Sequence, residues 1–367
     1  MNTLFFDIRD PENSMDAVRQ AAELLQKGEV VAMPTETVYG LAANAFDREA
    51  VAKIFVAKGR PQDNPLIVHI ADVNDLYLLA SEVPETALKL AEKFWPGPLT
   101  VILPKKERVP DVVSGGLPTV AVRMPSHKGA NALIRAAGVP LAAPSANISG
   151  FPSPTEMRHV ADDMQGRIAA VCDGGNCEFG VESTVISLAT EVPTLLRPGS
   201  ITKEQLESVL GEVLVDNAVL HPLKEGETVS SPGMKYRHYA PYARVEIMQM
   251  PEGVEITGDN AIGSDGKIGV YEPVDLKKLT DDEAKELVNI VSPFILRSRE
   301  ILSENPFARI GLYCGGEIKA MYDKLNDKIL SAHTEFCVYG RTVDVSSASH
   351  GLFEGLRFLD VQEVDVI

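Results

Sequence analysis

Two short polar stretches, far apart in the sequence, carry residue types that could hold an anion. Lys58-Gly59-Arg60 supplies an ammonium and a guanidinium, and Ser145-Ala146-Asn147 supplies a hydroxyl and an amide. Cations beside such donors can bind phosphate, and the phosphates of a nucleotide are the obvious candidate. Neither stretch is a Walker loop or a dinucleotide fingerprint, so general motifs do not name a function.

Each of these side chains also has an ordinary structural interpretation. Lys58 could complement the dipole of a helix that ends at Gly59. Glu36 could be a solvated carboxylate, or it could help to hold a metal carried in by a nucleotide. His69 could be a core histidine as easily as a ligand contact. Arg123 favours a ligand most strongly, because a buried guanidinium is costly without a carboxylate or phosphate partner.

A strand at 119–124 is predicted to place polar side chains on one face. Side chains alternate across a strand, so Thr119, Ala121 and Arg123 share one face and the intervening apolar residues share the other. The apolar face belongs to the core, and the polar face is expected to line a binding site. Ser183, between two valines of its own strand face, gives a weaker signal of the same kind.

Composition favours a globular protein with two domains. The chain has 367 residues, 45% of them hydrophobic, and a formal net charge of −17, which argues against nonspecific binding of nucleic acid. No signal peptide or membrane-spanning run is present, so we expect a cytoplasmic protein. The four cysteines match no usual zinc spacing, and Cys172 and Cys177 are read as free thiols rather than a disulfide or metal pair.

The element pattern predicts an α/β fold in two parts. Residues 1–215 read as one domain of twisted sheet with flanking helices, including helices at 14–27, from about 47 to 58, near 72–81 and at 84–94. Residues 216–241 read as a linker. Residues 242–367 read as a small Rossmann-like parallel α/β domain. Its predicted elements are strands at 244–248, 267–271, 309–314 and 335–339, and helices at 281–303, 316–331 and 346–358.

Six ordered motifs together resemble the threonylcarbamoyl-AMP synthase family, whose catalytic part is a YrdC-like domain. They are Pro34-Thr35-Glu36-Thr37-Val38-Tyr39-Gly40-Leu41, Lys58-Gly59-Arg60-Pro61, Asn64-Pro65-Leu66, Trp95-Pro96-Gly97-Pro98-Leu99-Thr100, Arg123-Met124-Pro125 and Ser145-Ala146-Asn147-Ile148-Ser149-Gly150. Ser231-Pro232-Gly233-Met234-Lys235-Tyr236-Arg237-His238-Tyr239-Ala240-Pro241 and the appended domain resemble the long, two-domain form. The resemblance covers essentially the whole chain.

The resemblance implies a reaction. L-threonine and bicarbonate form a carbamate, which attacks the α-phosphate of ATP to give threonylcarbamoyl-adenylate and pyrophosphate. A partner threonylcarbamoyl-transferase complex then modifies tRNA. Magnesium would accompany the ATP, and neither membrane nor DNA binding is expected.

The resemblance also implies site residues. The catalytic K-x-R and S-x-N elements fall on Lys58, Arg60, Ser145 and Asn147. Residues implied to hold threonine are Thr37, His69, Arg123, Ala143 and Ser183, with Arg123 facing the carboxylate bidentately. Residues implied to contact ATP are Arg60, Asn64, Thr119, Ser145, Ser153, Arg197 and Tyr236. As a hypothesis, the linker segment with Tyr236 acts as a lid over the labile adenylate.

Two other functions were weighed from the sequence. A double-stranded RNA or tRNA-binding module would use Lys53, Lys58, Arg60, Arg123 and Arg135 for phosphate contacts. The acidic net charge and the lack of a basic stripe with interleaved aromatics count against it. A carbamoyl-transfer module of hydrogenase maturation would carry acylphosphatase and zinc-finger segments, which this sequence lacks.

Overall fold

The computed structural model describes residues 2–62, 64–220, 239–248, 281–340 and 345–367. Contacts divide the chain into two units, Met1–His238 and Tyr239–Ile367. The division falls inside the segment predicted to be a linker. The predicted strand at 267–271 lies outside the described residues.

The first unit is built on one mixed sheet flanked by helices. Its strands are β1 (Leu4–Asp7), β2 (Val31–Met33), β3 (Gly40–Asn44), β4 (Ile67–His69), β5 (Leu99–Pro104), β6 (Thr119–Arg123), β7 (Leu141–Ala143), β8 (Ala170–Asp173), β9 (Thr184–Ser187), β10 (Thr194–Arg197) and β11 (Leu214–Val215). Among the described residues these form an 11-stranded sheet in the order β1-β8-β2-β3-β7-β4-β6-β5-β9-β10-β11. The α/β fold class predicted from the sequence is confirmed.

The helices of this unit cover both faces of the sheet. They are α1 (Met15–Gln26), α2 (Arg48–Lys58), α3 (Leu76–Leu79), α4 (Glu85–Phe94), α5 (Asp111–Ser114), α6 (Lys128–Ala137), α7 (Met157–Met164), α8 (Lys203–Leu210) and α9 (Asn217–Leu220). One core cluster contains α2 and α4 residues, and a second contains α1 and α6 residues. The helix predicted near 72–81 is instead a 3-10 turn, Val73–Asp75, followed by the single turn α3.

Helix α2 shows how local sequence positions a site residue. Asp47 begins the helix, because its carboxylate accepts the backbone N–H groups of Glu49 and Ala50. Gly59 ends it in the left-handed conformation, with φ of 63°, which a side chain would disfavour. The two signals fix the helix length and place Lys58 in the last turn, as the sequence predicted.

The second unit contains a parallel pair of strands and four helices among its described residues. They are β12 (Ile310–Cys314), β13 (Thr334–Val338), α10 (Asp281–Glu304), α11 (Gly316–Leu325), α12 (Lys328–His333) and α13 (Val345–Val361). This pairing is the one expected of a Rossmann-like arrangement.

Two element predictions for this unit are wrong. The single helix predicted at 316–331 is broken at Asn326, which has a φ of 50°, and Asp327 then begins α12 by accepting two backbone N–H groups. The segment at 244–248 forms no strand. Arg244 makes an isolated bridge to Val366, and the backbone N–H of Glu246 donates to Ile367. The segment is therefore extended and is paired, among the described residues, with the C-terminal residues.

Candidate active site

The strand register sets one row of side chains across five neighbouring strands. His69 of β4 pairs with Arg123 of β6, and Arg123 pairs with Thr100 of β5. Thr100 pairs with Val185 of β9, and Val185 pairs with Arg197 of β10. Paired residues project to the same face of a sheet, so residues spread over 129 positions of sequence, from 69 to 197, meet in one row.

Arg123 is the charged centre of this row. Its Nη2 donates to Glu36 Oε1 at 2.6 Å and its Nη1 donates to Thr37 Oγ1 at 2.8 Å. The Nε group donates to the carbonyl of Gly97 at 3.3 Å. Arg123 is 3% exposed and Glu36 is 2% exposed, so this is a buried ion pair. The interpretation of Glu36 as a solvated carboxylate is wrong.

The hydroxyl of Thr37 has a defined direction. Thr35 Oγ1 donates to the carbonyl of Val38 at 2.6 Å, so it must accept the proton of Thr37 Oγ1, which lies 3.0 Å away. Thr37 in turn accepts from Arg123. Thr35 thus bonds within its own loop, whereas Thr37 faces the guanidinium.

A second polar chain lies farther along the same row. Arg197 donates through Nη2 to Ser183 Oγ at 3.1 Å and through Nε to the Ser183 carbonyl at 3.0 Å. Ser183 Oγ lies 2.7 Å from Thr100 Oγ1. Thr100 was missed in the sequence. Its position beside Arg123 depends on the antiparallel pairing of β5 with β6, which one sequence does not reveal.

His69 is a neutral, buried end of the row. It is 4% exposed, and its Nδ1 lies 3.2 Å from the carbonyl of Ile67. Burial, with the nearby charge of Arg123, lowers the pKa of His69 to about 3. The imidazole is therefore uncharged at neutral pH.

Lys58 joins the two stretches that the sequence singled out. Its Nζ donates to the carbonyl of Ser145 at 2.5 Å, to the carbonyl of Asn147 at 2.6 Å and to Asn147 Oδ1 at 3.3 Å. The side chain is 2% exposed. The ammonium thus lies against the backbone of the 145–147 loop and donates to its carbonyl and amide oxygens.

The side chain of Asn147 shapes this loop. Its amide Nδ2 donates to the carbonyls of Ile148 and Phe151, both at 2.8 Å. Ser145 is half-buried and bridges to Gly40. The backbone N–H of Ala146 donates to the Tyr39 carbonyl at 2.8 Å. The 145–147 loop therefore lies directly beside the 34–41 segment that supplies Glu36 and Thr37.

Comparison with known proteins decides the family. Residues 23–199 match the Sua5/YciO/YrdC model, described as "Telomere recombination", and residues 201–367 match the model "Threonylcarbamoyl-AMP synthase, C-terminal domain". Threonylcarbamoyl-AMP synthase of Pyrococcus abyssi is 56% identical over 64% of this chain and 68% of its own length. That of Schizosaccharomyces pombe is 36% identical over 97% of this chain and 84% of its own length. The chain belongs to the threonylcarbamoyl-AMP synthase family.

A solved structure agrees across both units. The crystal structure of P. abyssi Sua5 complexed with L-threonine is 41% identical, with a TM-score of 0.76, and the match covers 100% of this chain and 91% of that one. The predicted membership of the long, two-domain form is confirmed. The chain is accordingly an enzyme that makes an adenylate.

Other residues that the family resemblance implied are placed as follows. Asn64 is fully buried, and both polar atoms of its amide lack a hydrogen-bond partner among the described residues. Ser153 is buried, and its hydroxyl donates a hydrogen bond to Glu182 Oε1. Ala143 ends β7, next to Ile67. Thr119 begins β6 on the Arg123 face, and Arg60 is half-buried just after α2. Tyr236 and the rest of 221–238 lie outside the described residues.

Four of the five cations required by the RNA-binding alternative are buried or donate to groups of the protein itself. Lys58 and Arg123 are buried, at 2% and 3% exposed, and Arg135 Nη2 donates to the Ala71 carbonyl. Lys53 Nζ donates to Gly28 and Glu29. Buried or paired cations of this kind do not form a surface stripe for a nucleic-acid backbone.

Three further expectations concern metals, thiols and membranes. Within the described ranges, no group of three His, Cys, Asp or Glu side chains lies close enough to hold a metal ion. Cys172 and Cys177 are free, buried thiols, as predicted. No helix in the described part of the chain is long and apolar enough to cross a membrane.

Proposed function

We propose that the first unit joins L-threonine, bicarbonate and ATP into threonylcarbamoyl-adenylate, with release of pyrophosphate. The observation that carries this proposal is the buried Glu36–Arg123–Thr37 group beside a loop held by the ammonium of Lys58. One part presents paired charges of both signs and the other presents a cation. The two parts suit an amino acid and a polyphosphate, respectively.

In this proposal, threonine binds along the row centred on Arg123. The guanidinium has five N–H groups, of which three donate to Glu36, Thr37 and Gly97. One N–H remains on each terminal nitrogen, which permits the two-point contact with the threonine carboxylate that the family resemblance implied. The other threonine residues of the proposal are His69, Ala143 and Ser183.

The nucleotide binds at the 145–147 loop and beyond it. Lys58 donates to the backbone of the loop, and Asn147 holds the loop through its side-chain amide. Arg60 and Ser145 are proposed to contact the phosphates. The buried amide of Asn64 has no hydrogen-bond partner among the described residues, which supports its assignment to ATP, because a buried amide is normally hydrogen-bonded. Thr119, Ser153, Arg197 and Tyr236 complete the proposed ATP contacts.

We propose that the site accelerates adenylate formation mainly by stabilising the charge that develops in the transition state. A carbamate oxygen of N-carboxythreonine attacks the α-phosphorus, and the bond from that phosphorus to the pyrophosphate oxygen breaks. Charge builds on the phosphoryl oxygens during this step, and fixed cations lower its cost. Magnesium would enter with ATP and would neutralise phosphate charge.

The contact between Arg197 and Ser183 would link the two substrates. Ser183 is assigned to threonine and Arg197 to ATP, and the structure joins them through two hydrogen bonds. The product would pass to a threonylcarbamoyl-transferase complex that acts on tRNA.

The test is the requirement for three substrates. Purified protein should release pyrophosphate only when ATP, L-threonine and bicarbonate are all present, and mass spectrometry should detect threonylcarbamoyl-adenylate. Release of pyrophosphate without threonine, or no release beside salt-sensitive binding of RNA, would contradict the proposal.

A further inference from the structure

One oxygen of the buried carboxylate of Glu36 has no hydrogen-bond partner in the part of the chain that the structure describes. Oε1 accepts from Arg123, but Oε2 is buried and makes no hydrogen bond with any described residue. A carboxylate oxygen removed from water without a donor is strongly unfavourable. The side chain is 2% exposed, so bulk water does not supply that donor in this conformation.

Neighbouring groups do not supply the missing donor either. His127 lies near Glu36, and its Nδ1 accepts the backbone N–H of Gly129 while its Nε2 faces the carbonyl of Gly174 at 3.1 Å. Nε2 therefore carries the only ring proton and donates it to Gly174. Burial lowers the pKa of His127, which keeps the ring neutral. Arg123 is then the charge that balances Glu36.

The chemistry of the unpartnered oxygen matches one group of the substrate. An α-amino acid carries a carboxylate that needs a cation and an amino group that needs an acceptor. Arg123 provides the cation, and Glu36 Oε2 provides an acceptor on the same buried pair. The Glu36–Arg123 pair has no net charge, and neither has the threonine zwitterion.

We propose that Glu36 Oε2 accepts an N–H group of the threonine amino group and so fixes the nitrogen that becomes carboxylated. This inference rests on the proposed function. The contact selects an α-amino acid over its deamino counterpart, because a methylene group offers no hydrogen to the acceptor oxygen of Glu36.

The test compares two ligands on two proteins. Calorimetry would measure the Kd of L-threonine and, by competition, of (R)-3-hydroxybutyrate, which lacks only the amino group. Glu36→Gln keeps an oxygen for Arg123 and replaces Oε2 by a donor. We expect L-threonine to bind about tenfold or more weakly to E36Q, with a change of less than about threefold for (R)-3-hydroxybutyrate.

A purely structural role for Glu36 predicts another result. If Glu36 only positions Arg123, both ligands contact the same disturbed guanidinium and weaken by equal factors. Equal weakening, or unchanged binding of threonine, would overturn the inference. Glu29→Gln, at the partly exposed pair with Lys53, is the matched control and should change neither Kd.

Two further measurements keep the result interpretable. Thermal denaturation checks folding of E36Q, and if it is unfolded at the assay temperature, Glu36→Asp replaces it. Glu36→Asp keeps a carboxylate, so it should keep the preference for L-threonine over (R)-3-hydroxybutyrate. Loss of that preference would overturn the inference. Wild-type protein without threonine-dependent pyrophosphate release would instead refute the proposed function.

Discussion

Arg123 and Lys58 are both cations buried in the first unit, yet the hydrogen bonds around them differ in kind. Arg123 donates to a carboxylate and a hydroxyl, and Glu36 balances its charge. Lys58 donates to two backbone carbonyls and an amide oxygen of the 145–147 loop. The first site therefore holds an ion pair, whereas in the second an ammonium organises a backbone loop.

This difference separates the requirements of the two proposed substrates. A zwitterion is best bound by fixed groups of both signs, whereas a triphosphate gains from nearby cations and from the donors of an ordered loop. The 145–147 loop and the 34–41 segment lie side by side, so the two environments adjoin. Three substitutions would break or sharpen this comparison.

The largest expected effect follows removal of the Lys58 ammonium. Lys58→Met keeps an unbranched side chain, one atom shorter and uncharged, and leaves three oxygens of the 145–147 loop without this donor. We expect pyrophosphate release to fall by about a hundredfold or more, from lost charge stabilisation and a displaced loop. Steady-state kinetics at saturating threonine and ATP would measure the change.

Lys53 is the control for that substitution. It lies on the same helix, and its side chain is 47% exposed beside Glu29. Lys53→Met should leave the rate within about twofold, because exposed pairs contribute little. Equal losses in the two variants would show that charge on α2 in general, rather than Lys58, supports the reaction.

A medium effect is expected from His69, the neutral neighbour of Arg123. Its pKa is lowered to about 3 in the folded protein, so the unfolded chain binds its proton first as the pH falls below about 6.5. The neutral histidine stabilises the fold fully above that pH, and this contribution is lost progressively toward pH 3. At pH 5 the loss is about 2 kcal/mol.

Urea unfolding at pH 7 and pH 5 would measure it. His69→Gln cannot titrate, so its free energy of unfolding should fall by about 2 kcal/mol less than that of the wild type between the two pH values. His127 is unchanged in both proteins and cancels in this difference. An equal fall in the two proteins would mean that His69 becomes protonated in the folded state.

The smallest effect is expected from Thr100, which belongs to the paired region. Thr100→Val keeps the shape and removes the hydroxyl 2.7 Å from Ser183 Oγ. Ser183 keeps its bond from Arg197, so the cost should be about 1 kcal/mol in unfolding free energy. The Michaelis constant for threonine should rise about two- to fivefold with that for ATP nearly unchanged.

A rise in the constant for ATP alone would assign Ser183 to the nucleotide. Such a result would also merge the two environments that the comparison keeps apart.

Much of the fold could be predicted from local signals in the sequence. Asp47 and Gly59 bound α2 by capping chemistry, and the alternation at 119–124 placed Arg123 on the polar face. The break at Asn326 could not be predicted, because the stretch around it keeps a helical pattern and the left-handed residue carries a side chain. The end of a helix is easiest to predict from sequence where the C-terminal capping residue is glycine.

For the site, the sequence allowed the motifs to be identified but not which of their residues lie next to one another. The proximity of the 34–41 segment and the 145–147 loop follows from β3 pairing with β7, a long-range contact. Thr100 and the ion pair of Glu36 were missed for the same reason, since both depend on which strands are neighbours. Residue types indicate what chemistry is possible, while strand order decides which residues meet.

The row from His69 to Arg197 has a consequence for how the protein acquires activity. Its members come from β4, β6, β5, β9 and β10, so the row cannot close on a ribosome until β10 has emerged. Pairings of such long sequence separation form slowly compared with helices such as α2. Recovery of catalysis during refolding should therefore lag behind recovery of helical signal, and enzyme assays would report the last stage of sheet assembly.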